Sequence, residues 1–198
     1  MKPRFRKKLI ADEPYESAAF TDVNGNGQLD IVSGSFWYEG PDFGKRHTVA
    51  PLEAHDVEYF DDFSTIPMDV NGNGLPDIIT GGWFGQRLRW LENPGDASTE
   101  WLTHELDHIG NIETTRAWDI DGDGILEIVP NTPVHPLNVY KLITDSSGKG
   151  TGQFKKHLIW DRPQGHGLGC GDIAGNGRMD IILADGWLEA PEDTYNQK

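Results

Sequence analysis

Short β-branched runs recur along the chain, each bounded by turn residues: Asp30-Ile31-Val32, Ile78-Ile79-Thr80, Ile128-Val129 and Ile181-Ile182-Leu183. Apolar residues nowhere keep the three- and four-residue spacing of an amphipathic helix. The pattern therefore predicts short strands joined by tight turns, an all-β chain. Twenty-four Gly and twelve Pro residues supply the turns. The stretch from Asp145 to Gly152, Ser- and Gly-rich, reads as a loop tip between two strands.

The pattern is periodic. DVNGNGQLDIV from Asp22 to Val32 returns as DVNGNGLPDII from Asp69, as DIDGDGILEIV from Asp119 and as DIAGNGRMDII from Asp172. The leading Asp residues lie 47, 50 and 53 positions apart. An aromatic followed by spacers, a basic residue and aliphatics precedes each copy: Phe5 to Lys8, Phe43 to His47, Trp101 to His104 and Phe154 to His157. An aromatic-acid-Pro ending follows three of them, at Trp37 to Pro41, Trp90 to Pro94 and Trp187 to Pro191. A period near 50 with all-β content fits a β-propeller of about four blade repeats, in which each blade is a small antiparallel sheet, and residues 1–198 read as a single domain. Residues 2–10 read as the outer strand of a blade. That strand closes the last blade into a four-bladed ring, or the chain is a fragment of a larger propeller.

The repeated loops 22–30, 69–77, 119–127 and 172–180 follow D-x-[DN]-G-[DN]-G-x-x-[DE]. Calcium takes six to eight oxygen ligands, which side chains at positions 1, 3, 5 and 9 and the carbonyl at 7 would supply. The expected ligands are Asp22, Asn24, Asn26, the Gln28 carbonyl and Asp30 in the first loop, and Asp69, Asn71, Asn73, the Leu75 carbonyl and Asp77 in the second. The third offers Asp119, Asp121, Asp123, the Ile125 carbonyl and Glu127. The fourth offers Asp172, Asn176, the Arg178 carbonyl and Asp180, with Ala174 in place of its third ligand. Ranked by carboxylate count, the third loop is expected to bind tightest and the fourth weakest. An EF-hand is excluded, because position 12 is Ser33, Thr80, Pro130 or Leu183 rather than Glu. The alternative is a set of Asx turns that need no ion.

Seventeen Lys and Arg against 32 Asp and Glu leave a formal charge of −15. That balance argues against nucleic acid or an anionic membrane as partner and suits cations or neutral ligands. No run of about 20 apolar residues is present, and the basic start is followed by no apolar signal core. The single cysteine, Cys170, forms no intramolecular disulfide and reads as a small packing residue.

The loop followed by a short apolar strand resembles the FG-GAP/VCBS repeats of integrin-like β-propellers. That resemblance implies Ca²⁺ as cofactor, an extracellular or periplasmic location, and a carbohydrate or protein ligand at the channel mouth. More narrowly, His166 to Asp172 and Asp185 to Pro191 resemble the propeller repeats of aldos-2-ulose dehydratase-like proteins, which implies a carbohydrate lyase as the alternative function.

A propeller would gather the residues ahead of each loop on one rim. Six positions before the leading Asp stand Glu16, Phe63, Glu113 and His166; three before it stand Ala19, Ile66, Arg116 and Gly169. Glu113, Arg116 and His166 are the candidate catalytic cluster, suited to proton abstraction beside a sugar carbonyl. His55 to Glu58 and His108 occupy long connections nearby. His47, His104 and His157 recur at one repeat position and read as structural. Trp37, Trp90 and Trp187 also recur and read as blade packing, Trp118 as core, and Trp83 as an exposed ligand contact.

Overall fold

The computed structural model describes residues 4–52, 54–55 and 59–195; Asp56, Val57 and Glu58, and Lys2 and Pro3, lie outside them. The described residues form fifteen strands and no helix. The first sheet joins β1 (Ala19–Thr21), β2 (Asp30–Ser33), β3 (Phe36–Glu39) and β4 (Lys45–Thr48) in that order. The second joins β5 (Ile66–Met68), β6 (Asp77–Gly81), β7 (Arg87–Glu92) and β8 (Leu102–His108). The third joins β9 (Thr114–Trp118), β10 (Glu127–Asn131), β11 (Leu137–Thr144) and β12 (Gly150–Trp160). The fourth joins β13 (Gly169–Gly171), β14 (Asp180–Leu183) and β15 (Gly186–Leu188). All pairs are antiparallel meanders, as expected of propeller-type blades.

Each repeated loop connects the first two strands of its sheet, in one register. Thr21 faces Asp30, Met68 faces Asp77, Trp118 faces Glu127 and Gly171 faces Asp180. The predicted apolar runs are the second strands. β6 and β10 are buried along their whole length. They lie mid-sheet with neighbouring sheets on both faces, which is why they read as continuous β-branched runs rather than alternating ones. The outer strands β4, β8 and β12 instead mix exposed and half-buried positions. Their Lys, Arg and Glu side chains discourage edge pairing.

Three apolar clusters link consecutive sheets. Val32, Trp37, Val49, Ile78 and Trp101 join the first to the second. Ile79, Leu88, Ile112, Ile128 and Tyr140 join the second to the third, and Val129, Leu137, Val139, Ile181 and Leu183 the third to the fourth. Polar links add to them: Trp101 N donates to Val49 O at 2.8 Å, and Gly152 N to Val70 O at 2.8 Å.

Two expectations need correction. Residues 4–10 form no strand, and Phe5 is almost fully exposed. Lys8 instead reaches the Asp42 carbonyl, on the first sheet's side of the molecule. The fourth sheet accordingly has three strands, and Trp187 is 42% exposed, against 1% for Trp37 and 5% for Trp90. In the complete sheets a histidine from the outer strand covers the tryptophan: His47 stacks on Trp37 with centroids 4.1 Å apart, and His104 on Trp90 at 4.2 Å. Among the described residues no such strand covers Trp187, so the repeat position alone does not bury it. Trp118 is half-buried against the third cluster, beside Cys170.

Candidate cation loops and the inner cleft

The four loops close by the same local chemistry. The leading Asp accepts amide N–H groups from the far side of its loop. Asp22 takes Asn26 N at 3.0 Å and Gly27 N at 2.8 Å; Asp172 takes Asn176 N and Gly177 N, each at 2.9 Å. Position five forms an Asx turn with position seven: Asn26 accepts from Gln28 N, Asn73 from Leu75 N, Asp123 from Ile125 N and Asn176 from Arg178 N.

The ninth residue is wholly buried in each loop and clamps the loop to its sheet. Asp30 accepts Val23 N and Gly40 N, each at 2.8 Å. Asp77 accepts Val70 N and Asn93 N at 2.8 Å and Asn71 N at 3.3 Å. Asp180 accepts Ile173 N, Ala174 N and Ala190 N. Burial pushes Asp77 up to about 6 despite its three amides. Asp180 has the same kind of contacts, yet the Ala190 amide holds it below the usual carboxylate range. The second loop is the more enclosed: Asn93 Nδ2 reaches Val23 O of the first loop at 2.8 Å, and the β11–β12 tip lies over Val70.

The loops diverge at their centres. In the second, Asp69 Oδ2 accepts Gly74 N at 3.0 Å, but Asp69 Oδ1 is buried and meets no donor among the described residues. In the third, Asp119, Asp121 and Glu127 each bring a carboxylate oxygen within 4.8 Å of the others. The Lys141 ammonium lies among them, 2.5 Å from Asp121 Oδ2, 2.7 Å from Asp123 Oδ2 and 2.9 Å from Glu127 Oε1. Burial works against its charge, but those hydrogen bonds outweigh burial and hold it above the usual lysine range. No sequence expectation named Lys141. Its signal was present: it stands where Glu39, Glu92 and Glu189 stand in the other repeats.

The residues ahead of the loops gather as well. A cleft of about 420 Å³ is lined by Glu16, Ser17, Phe63, Thr65, Thr115 and Arg116, drawn from the segments before β1 and β5 and from β9. Glu113 lies 2.9 Å from His166 Nδ1, and Trp83 stacks 6.2 Å from the His166 ring. Arg116 faces the cleft, while Glu113 pairs with His166 rather than with Arg116. His108 lines a separate groove with Gln86 and His135, and His55 stacks on Phe84. His47 and His104 hydrogen-bond Glu39 and Glu92, in keeping with a structural role.

Sequence reasoning also missed Asp61 and Asp62. Asp61 pairs with Arg89 and anchors Gly85 N. Asp62 accepts Ser17 Oγ at 2.9 Å and Thr80 Oγ1 at 3.3 Å, and its Oδ2 is buried without a donor among the described residues. Burial pushes Asp62 up to about 6. An Asp-Asp pair beside Phe63 has no periodic signature, so only packing reveals it.

No curated protein matches the chain. Residues 69–129, from the leading Asp of the second loop to β10, match the FG-GAP-like repeat. That span covers one complete period, and the other loops repeat its residue pattern and its register at the first two strands of their sheets.

Proposed function

We propose that the protein is a calcium-binding β-propeller-type module whose loops 22–30 and 69–77 hold Ca²⁺ and whose inner cleft takes a carbohydrate or protein ligand. The observation that carries the reading is Asp69 Oδ1, a buried carboxylate oxygen of the second loop with no donor among the described residues. Such an oxygen costs about 1–3 kcal/mol or more unless something positive faces it. Calcium would be held there by Asp69, Asn71, Asn73, the Leu75 carbonyl and Asp77. The Asp77 oxygens each accept amides, yet a carboxylate offers about four lone-pair sites, so acceptor capacity remains for an ion.

The first loop has the same residue types at the same positions. The fourth lacks a side-chain oxygen at Ala174 and is the weaker candidate. Calcium here neutralises buried charge and stiffens the loop. Two carboxylates and two amide oxygens per loop give a low ligand charge, which favours modest calcium affinity. The FG-GAP-like repeat supports an extracellular or periplasmic location. No described helix is long and apolar enough to cross a membrane.

Calorimetric titration with calcium tests the reading. Saturable binding that weakens in Asp69→Asn supports it; absence of binding at millimolar calcium sinks it. A second reading, a carbohydrate lyase, rests on the Glu113–His166 pair beside Trp83. It requires His166→Ala to abolish conversion of a 2-keto sugar.

A further inference from the structure

We infer that Lys141 is the built-in cation of loop 119–127, so that this loop folds without metal and takes no calcium, although it holds the most carboxylates of the four. The inference rests on the calcium reading of the loops.

The first ground is geometric. The Lys141 Nζ lies 2.5–2.9 Å from one oxygen each of Asp121, Asp123 and Glu127. Calcium needs its oxygens at 2.3–2.6 Å and six to eight of them. An ammonium already at hydrogen-bonding distance from three of those ligands leaves no room for a second cation. Glu127 is wholly buried, so its charge needs a partner in the folded state.

The second ground is the register shared by the sheets. Ile31 faces Tyr38, Ile78 faces Leu91, Ile128 faces Tyr140 and Ile181 faces Leu188. The residue after each partner is therefore one structural position: Glu39, Glu92, Lys141 and Glu189. In the second loop that position touches the third loop residue through Asn71 Nδ2 and Glu92 Oε1, 3.1 Å apart. In the third loop the same two positions are Asp121 and Lys141. The loop that exchanges two Asn for two Asp also exchanges the neighbouring Glu for Lys. Counting that position, the second loop has three carboxylates, and the third has four with one ammonium. Both carry a formal charge of −3.

The third ground is the ninth position. Asp30, Asp77 and Asp180 each give one oxygen to a backbone amide of the strand end that follows, from Gly40, Asn93 and Ala190. Glu127 gives that oxygen to Lys141. The lysine thus also replaces a backbone clamp.

The experiment counts calcium per chain by titration calorimetry and native mass spectrometry, alongside melting in chelator. Two variants are used. Asp121→Asn with Asp123→Asn keeps both Asx turns and removes two ligand charges. Lys141→Met removes the built-in cation. The expected results are an unchanged calcium count in the double variant, and one additional calcium in Lys141→Met. In chelator, Lys141→Met should melt about 10 °C lower, and calcium should restore it. A count that falls by one in the double variant overturns the inference. So does a Lys141→Met protein that gains no calcium, or one that calcium fails to restore. If the wild type binds none at all, the calcium reading of the other loops falls. One calcium in Lys141→Met then still upholds the role of Lys141.

Discussion

The second and third loops share a pattern, a register and a fold, yet they answer differently to the problem of burying acids. The second keeps its acid count low, with Asn71 and Asn73 beside Asp69 and Asp77, and leaves Asp69 Oδ1 without a donor among the described residues. The third has four acids and a lysine among them. The difference teaches that the number of carboxylates in a loop does not by itself say how much of their charge the protein already compensates. What differs is whether the neighbouring strand already places a cation among those carboxylates. The ranking by carboxylates that places the third loop first omits the one strand residue that changes sign.

The contrast is sharpest at the ninth position. Asp77→Ala strands the buried amides of Val70 and Asn93 and the part-buried one of Asn71, whereas Glu127→Ala strands that of Ile120 and leaves Lys141 its other two carboxylates. With each stranded amide costing about 1–3 kcal/mol, Asp77→Ala should lose about 3 kcal/mol or more, clearly exceeding Glu127→Ala. Denaturant unfolding in chelator measures both, and equal losses would remove the contrast.

Asp62 extends the comparison to a buried acid that has neither a metal loop nor a lysine. Its ordinary value is near 3.8 and burial lifts it to about 6 in the fold. Below pH 3.8 it is neutral in both states and has no effect. Between there and pH 6 the unfolded chain ionises first, so the folded state loses up to about 3 kcal/mol, all of it above pH 6. Asp62→Asn should therefore gain stability over the wild type as pH rises from 4 to 6, then hold a constant margin. A margin independent of pH would show that its charge is already compensated.

Calcium itself separates the loops next. At a hundredfold the dissociation constant, one site adds about 2.7 kcal/mol, or about 5–10 °C in a chain of this size. Asp69→Asn should remove one such step from the calcium-induced rise in melting temperature, and Asp119→Asn should leave the rise intact. Thermal melts followed by tryptophan fluorescence report both.

The smallest effect concerns glycines at one loop position. Gly72 has φ +75°, and an added Cβ would fall 2.6 Å from the Gly150 carbonyl oxygen at the β11–β12 tip; Gly122 has φ +79° and open space around it. Gly122→Ala should cost the left-handed penalty alone, about 1–2 kcal/mol, and Gly72→Ala measurably more. Similar losses would mean that the tip does not press on the second loop.

Much of this architecture was legible beforehand. The second strands, the loop boundaries and the sheet period follow from β-branched runs and Asp/Asn-Gly spacing, because both act within a few residues. That His47 and His104, like Trp37 and Trp90, hold recurring positions was legible, but their stacking on one another was not. Residues 4–10 carry the outer-strand pattern and form no strand, because strand formation depends on a partner edge that local sequence does not supply. The Asp62 burial and the Arg89–Asp61 pair bring together residues up to 45 apart that share no motif.

The sequence by itself determined the repeat, the strand pattern and the donor atoms of each loop, since these depend on chemistry carried within one short segment. Tertiary structure decided which donors are already satisfied. Lys141 is 14 residues beyond Glu127 and reaches it only because β10 and β11 pair in register. Asp69 Oδ1 is sealed only because neighbouring structure closes over its loop. Charge compensation acts through space over a few ångströms, and only the folded chain sets those distances.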